Sequence, residues 1–327
     1  MKVLFPESIS KRKAPVNITE SDIKLFSHEY EKKIHATSLT ELKNVYVLNN
    51  TIFNLKSLQF YNKHSLVHPI KKKQLIKNLL LLSKKGKSIR SAVWIIDENA
   101  YGYFHWLTDC LCRLVAVQNH LKDHVIILPS HLKNIKFIEE SLPYFNIKAE
   151  YYDVTLPVKV KRLLLPSHTA PSGNYNTILV NKLREQFIGQ NSNQPAKNIY
   201  ISRQNAEKRK ITNEEAVITL LKQYHFEVHF FENYSFNEQV NLMKDTKCLI
   251  GLHGAGLTNM LFMSEKTNVL ELRNAEDNHN NCYFSLASDL NLNYYYQINS
   301  GDRKDTHEVN ITVDILLLKQ NIERMLL

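Results

Sequence analysis

From Asn198 to Asn274, short apolar runs alternate with amphipathic stretches. NIYISR, FEVHFFE, KCLIGL and NVLELRN are too short for helices and rich in aliphatic and aromatic residues, so they are read as strands. Between them, NEEAVITLLKQY, SFNEQVNLMKD and GLTNMLFM read as helices, with Thr212 or Asn213 capping the first and Ser235 the second. Such alternation is satisfied by parallel strands joined through crossover helices, that is, by a doubly wound sheet. Upstream, SAVWIID, HVIILP, IKAEYYD and KVKRLLLPS are read as strands, with helices in HWLTDCLCRLVAVQNHL and HLKNIKFIEESLPYF. VYVLNN and TIFNLKSLQFYNKHSLVH suggest short strands, and residues 1–40 read as polar and irregular. SHTAPSGNYN (167–176) is the linker candidate, and GQNSNQPAKN is a second polar break. The expectation is a two-domain α/β chain, 1–170 and 171–327, with ligands at the carboxyl ends of strands facing a central cleft.

The chain has 327 residues, 43% of them hydrophobic, enough for a sizeable core. Its four cysteines, Cys110, Cys112, Cys248 and Cys282, have neither paired spacing nor the density of a disulfide scaffold, which points to a reducing compartment. The apolar part of MKVLFPESISKRK is too short for a signal peptide, and no run approaches the roughly 18 apolar residues of a membrane span. A cytoplasmic, soluble protein is expected. The net charge is +10, and residues 70–90 hold eight Lys or Arg and no acid. That segment is either a solvated basic surface or a helix lying on a membrane, with Leu75, Ile76, Leu79, Leu80 and Leu82 on one face. Nucleic acid is not expected, because no zinc-finger or RRM-type motif accompanies the charge.

Of only eight glycines, Gly251, Gly254 and Gly256 fall within six positions, where KCLIGL ends and a helix begins. Glycine permits close approach to a helix N-terminus, whose free N–H groups suit a diphosphate. The alternative is a turn needing glycine only for packing. His253 inside the turn and the polar Thr258 and Asn259 in the first helical turn favour a ligand. No Walker loop, no GxGxxG fingerprint and no GxSxG elbow of an esterase occurs. Arg203 ends the strand NIYISR and Arg209 follows six residues later; guanidinium groups hold phosphate oxygens in bidentate fashion. Glu271 ends NVLELRN, either accepting from ribose hydroxyls or pairing with Arg273. His105 and Asp109 lie four apart on one helical face, a candidate base pair, unless Asp109 pairs with Arg113 instead.

FHWLTDCLCRL (104–114), LLLPS (163–167), YISR (200–203), RKI (209–211), NEE (213–215), GLHGAGLTNMLF (251–262), VLEL (269–272) and NCYFSLA (281–287) occur in an order that resembles glycosyltransferase family 61. The resemblance covers about residues 91–300. It implies a GT-B-like architecture of two Rossmann-like domains, with the last helix a candidate to return to the N-terminal one. It implies an inverting transferase needing no metal and no cofactor. The nucleotide-sugar donor would be held by Arg203, Arg209, His253, Gly254, Ala255, Gly256, Leu257, Asn259 and Glu271, with Asp109 or His105 as base. Hexosyl, pentosyl or N-acetylhexosaminyl transfer is expected, to a glycan or lipid-linked glycan. The chain is similar to bacterial members tied to capsule or lipopolysaccharide assembly, at the inner face of the plasma membrane if residues 70–90 touch it. One departure is Gly102, where family blocks often carry Asn. Asp302 and Asp305 lack the spacing of a metal-binding pair. A non-catalytic nucleotide-sugar binder or scaffold of the same fold is the alternative.

Overall fold

The computed structural model describes residues 1–62, 66, 68–189, 194–277, 280–303 and 308–327. Two units emerge: Met1–Ser8 with Ile34–Ser172, and Ile9–Lys33 with Gly173–Leu327.

The first unit is a mixed sheet. Val158–Pro166, Lys87–Val93, Val125–Pro129 and Ala149–Tyr152 lie side by side in that order, all parallel. Their carboxyl-terminal parts, 92–93, 126–129 and 163–166, are buried, as the middle of a parallel sheet requires. The long strand Thr37–Leu48 pairs antiparallel with Val158–Pro166, and Thr51–Asn54, Gln59–Phe60 and Lys2–Phe5 extend the antiparallel side. A helical stretch, 103–116, follows the first parallel strand and widens to a π-turn at Trp106–Cys110. Trp106 anchors it, fully buried, its indole N–H donating to Ser141 Oγ at 2.9 Å.

The second unit holds the sheet that the alternation predicts. Its order is Phe226–His229, Lys197–Ile201, Thr246–Leu252, Asn268–Asn274, Asn293–Gly301, all parallel, closed by the antiparallel Ile311–Thr312. Ser235 caps its helix through a full capping box with Glu238, an arrangement worth about 1 kcal/mol. Asn213 does not cap; its side chain instead bonds both backbone groups of Val313.

Two expectations are corrected. Residues 1–40 are not irregular: they include strands at Lys2–Phe5, Ser8–Lys11 and Glu31–Ile34, and residues 9–33 belong to the second unit rather than the first. A few buried contacts override the polar composition. Phe26 stacks on Phe284 and Tyr296 at 5.0 and 4.8 Å, Tyr296 Oη donates to Asp22 at 2.6 Å, and Arg12 donates to Glu29 at 2.9 Å. The final helix, Ile315–Leu326, stays in the second unit, where Leu318, Ile322 and Met325 join a core with Tyr200, Val217 and Leu270. Among the described residues no helix is long and apolar enough to cross a membrane.

Candidate active site

In the second unit the strand Thr246–Leu252 ends, His253 follows, and a 3-10 helix runs over Ala255–Phe262. The three glycines divide by what a side chain would meet. A Cβ on Gly251 would approach Leu257 at 3.0 Å, and one on Gly256 would approach Ile201 at 3.2 Å. These two serve packing. A Cβ on Gly254 would instead meet Nη1 of Arg203 at 3.0 Å and Cζ of Arg209 at 3.7 Å. Both sequence-predicted guanidiniums therefore converge on this one glycine. Gly256→Ala is expected to lower stability by about 1–2 kcal/mol through overpacking, and to weaken nucleoside-diphosphate affinity less than a side chain at Gly254 does. Gly254→Ala is expected to weaken that affinity about tenfold, by displacing a charge-assisted donor. Calorimetric titration and thermal melting of both variants check the contrast.

The guanidiniums are held and left uncompensated. Arg203 Nε donates to the Arg209 carbonyl and Nη2 to the Lys208 carbonyl, both at 3.0 Å. Among the described residues neither guanidinium has a carboxylate within ion-pair distance, and Arg209 Nε is buried without an acceptor. Burial first, and the neighbouring Arg209 charge second, lower the Arg203 pKa. Two like charges side by side are costly until an anion joins them. Ala255 and Gly256, partly exposed, open the helix with N–H groups that have no partner within it. Leu257 is different: its N–H donates to the Gly254 carbonyl at 2.9 Å and its side chain is fully buried, so the expected donor role at Leu257 is corrected. Asn259 is likewise 1% exposed, its amide returned to the Gly256 carbonyl at 3.0 Å; it braces the turn instead of reaching a ligand.

Glu271 also changes role. It is completely buried and accepts from His253 Nδ1 and Tyr294 Oη, so it cannot reach a ribose. Burial opposes its ionisation, yet the Arg273 and His253 charges and these hydrogen bonds hold its pKa below the usual carboxylate value. Arg273 does not bond it directly at short range; it donates to Asn281 Oδ1 at 2.8 Å and to the carbonyls of Asp277 and Asn280. The other His253 nitrogen, Nε2, lies 3.1 Å from Asn280 Nδ2, while Asn280 Oδ1 accepts from the Cys282 N–H at 3.4 Å. Asp277 Oδ2 lies 3.9 Å from His253 Nε2, so both ring nitrogens of His253 face groups of the protein. Glu271 is thus the group that orients His253.

In the first unit His105 and Asp109 meet across the π-turn, Nδ1 to Oδ2 at 2.8 Å. Ser172 Oγ donates to the same carboxylate oxygen at 3.0 Å. The hydrogen bond to Asp109 is the main cause of a raised His105 pKa, with burial opposing it. Arg113 does not take Asp109 away from His105: fully buried, it donates to the carbonyls of Ile95, Ile96 and Pro166, which join the ends of two parallel strands. Desolvation lowers its pKa to about 10. A second pair lies beside the first, His168 Nε2 to Asp97 Oδ2 at 3.2 Å. Asp97 and Asp109, with His168 and Ser172, line a cavity of about 480 Å³. Burial disfavours the Asp97 anion, but His168 and the Asn99 N–H hold its pKa below the ordinary value.

The family model Glycosyltransferase 61 matches residues 103–270, just over half of the chain. The chain belongs to glycosyltransferase family 61. The match takes in His105, Asp109, Arg203, Arg209 and His253. The chain is also similar to the EGF domain-specific O-linked N-acetylglucosamine transferases of Mus musculus, at 35% identity over 101 residues, and of Drosophila melanogaster, at 36% over 91. The first match covers 29% of this chain and 19% of the mouse protein, the second 27% and 17%. The Xenopus laevis protein of the same description is 32% identical over 136 residues, 40% of this chain and 26% of that one. The chain thus spans about a sixth to a quarter of the length of these relatives. They are animal proteins, and they lend nothing to the capsule or lipopolysaccharide expectation.

Asp97 and His168 escaped the sequence reading of this family 61 chain. Both follow the carboxyl ends of parallel strands, the same signal that singled out Arg203. His168 lies in the stretch 167–176, which reads as a linker because Ser, Pro and Gly surround it. Asp302 accepts from Asn310 and Arg303 in an exposed loop, and Asp305 lies outside the described residues. Among the described residues, no group of three or more His, Cys, Asp or Glu converges as a metal site would.

Proposed function

We propose that this family 61 chain transfers a sugar from a nucleotide-sugar donor to an acceptor hydroxyl in one in-line, inverting displacement without a metal. A GT-B organisation is part of the proposal, with the second unit carrying the donor and the first the acceptor. The observation that carries it is the Arg203–Arg209 pair at Gly254, two guanidiniums with no carboxylate in ion-pair distance among the described residues. Such a pair suits a diphosphate, whose developing charge as a leaving group needs fixed donors. The N–H groups of Ala255 and Gly256 would add to it, and His253, oriented by Glu271, would present a fixed imidazole to the same turn.

In the first unit, Nδ1 of His105 is committed to Asp109, so Nε2 is the atom left to receive the acceptor proton. We assign His105 as base and Asp109 as the carboxylate that orients it and stabilises the imidazolium. The likeness to the animal O-linked N-acetylglucosamine transferases favours N-acetylglucosamine as the donor sugar and a hydroxyl on protein or glycan as the acceptor. Cytoplasmic residence remains part of the proposal.

The test is a thermal-shift and turnover screen of nucleoside diphosphates and nucleotide sugars. Stabilisation by a nucleoside diphosphate, together with release of that diphosphate from its N-acetylglucosamine conjugate, is expected. Stabilisation without any sugar release, across donors and acceptors, would favour a non-catalytic binder.

A further inference from the structure

The helix Lys72–Leu80 turns only part of its apolar surface inward, where Leu75 and Leu79 are half-buried. Between them sits its buried residue, Asn78, 2% exposed, whose amide donates to Thr51 Oγ1 at 3.1 Å and whose oxygen accepts from Gln74 at 3.0 Å. Ile76 and Leu80 face outward, 61% and 66% exposed. Periodicity alone would turn those apolar residues to the core. Lys72 and Lys73 are spaced to share the outward face with them, and Lys77 flanks it.

The charge around this face is one-sided. Residues 70–90 contain no acid. Lys84 is engaged with the Thr155 carbonyl at 3.1 Å and Lys87 with Glu150 at 2.5 Å. Lys71, Lys72, Lys73, Lys77 and Lys85 are exposed, with no carboxylate in ion-pair distance among the described residues. A second copy of the chain is a poor cover for this face, since it would set lysine against lysine on molecules of net charge +10.

We propose that this face docks on an anionic lipid bilayer. Ile76 and Leu80 enter the boundary between headgroups and acyl chains, while the lysines stay at headgroup level and meet lipid phosphates. No groove is needed, because the helix presents a convex face with apolar residues ringed by cations. The inference does not depend on the sugar-transfer reading: it concerns where the protein resides, and it can hold or fail with activity unchanged.

The experiment is co-sedimentation of the full chain with vesicles of phosphatidylcholine alone or mixed with phosphatidylglycerol, at about 0.1 M and about 0.5 M salt, between which the Debye length falls about twofold. Binding to the mixed vesicles is expected, with little binding to phosphatidylcholine and marked release at the higher salt. Each lysine near an anionic surface is worth about fivefold in affinity. Lys72→Glu/Lys73→Glu/Lys77→Glu should therefore lose well over tenfold, and Ile76→Ser/Leu80→Ser about tenfold or more. Neither set touches Asn78, so both variants should melt like the parent. Failure of the parent to bind mixed vesicles, or unchanged binding by either folded variant, would overturn the proposal. So would a parent that is dimeric with a monomeric Ile76→Ser/Leu80→Ser variant, or one retained by polyglutamate but not by vesicles. The first would mark a contact between copies, the second an acidic protein partner.

Discussion

Arg203→Ala is expected to lower sugar transfer by about 10²–10³-fold, the usual cost of removing one fixed donor to a developing anion. The loss should appear both in donor affinity and in turnover, because a guanidinium at the diphosphate serves ground state and leaving group alike. Arg203 also donates to the carbonyls of Lys208 and Arg209, so its removal loosens that loop. Arg203→Lys separates the effects. It keeps a positive charge but lacks the planar fork, and it should recover only part of the loss. Steady-state kinetics with a sensitive donor assay, beside melting curves, read the outcome. Turnover close to the parent in Arg203→Ala would remove the phosphate role and with it the main support for the donor site.

His105→Ala and Asp109→Asn should each reduce turnover about 10²–10⁴-fold while nucleoside-diphosphate binding persists. The pH profile distinguishes their roles. Asp109 raises the His105 pKa, chiefly through their hydrogen bond. A base must be neutral, so the rate should climb with pH through an inflection above about 6.5, the ordinary imidazole value. Asp109→Asn should move that inflection downward and lower the plateau. The stability sign runs the other way: a raised folded-state pKa contributes stability that is present below about pH 6.5 and fades as pH passes the raised value. The protein should therefore gain activity over the range in which this pair stops stabilising it. A plateau like the parent's in both variants would dismiss the base. Loss of nucleotide binding in parallel with turnover would transfer the pair to the donor site.

The second unit was readable because its strands and helices have opposite periodicities, and because Arg203 follows an apolar strand closely enough for its position to be inferred. Direction within a buried strand is less readable. Glu271 sits in a run buried on both faces, and the letters VLELR do not say that its carboxylate meets His253 and Tyr294 rather than solvent. The same limit applies to Lys72–Leu80: its apolar positions span more than one face, and the letters do not say that Leu75 and Leu79 turn inward beside Asn78 and its distant partner Thr51 while Ile76 and Leu80 stay outside. Asp97 and His168 depend on two strands being neighbours. Neither residue lies in a recognisable local motif, and only the pairing of Lys87–Val93 with Val158–Pro166 brings them together. Leu257 and Asn259 depart from the expected donor role for a related reason. A polar or exposed-looking position in a tight turn can spend its hydrogen bonds on the turn itself.

The second unit is assembled from two separate stretches, with Arg12, Asp22 and Phe26 embedded among residues that come more than 250 positions later. It is therefore not a portable cassette. Chimeras between members of this family, joined at one crossover near residue 172, would pair a donor-side body with a foreign amino-terminal strap. Exchanging residues 9–33 together with the carboxyl-terminal half is the recombination that respects the architecture.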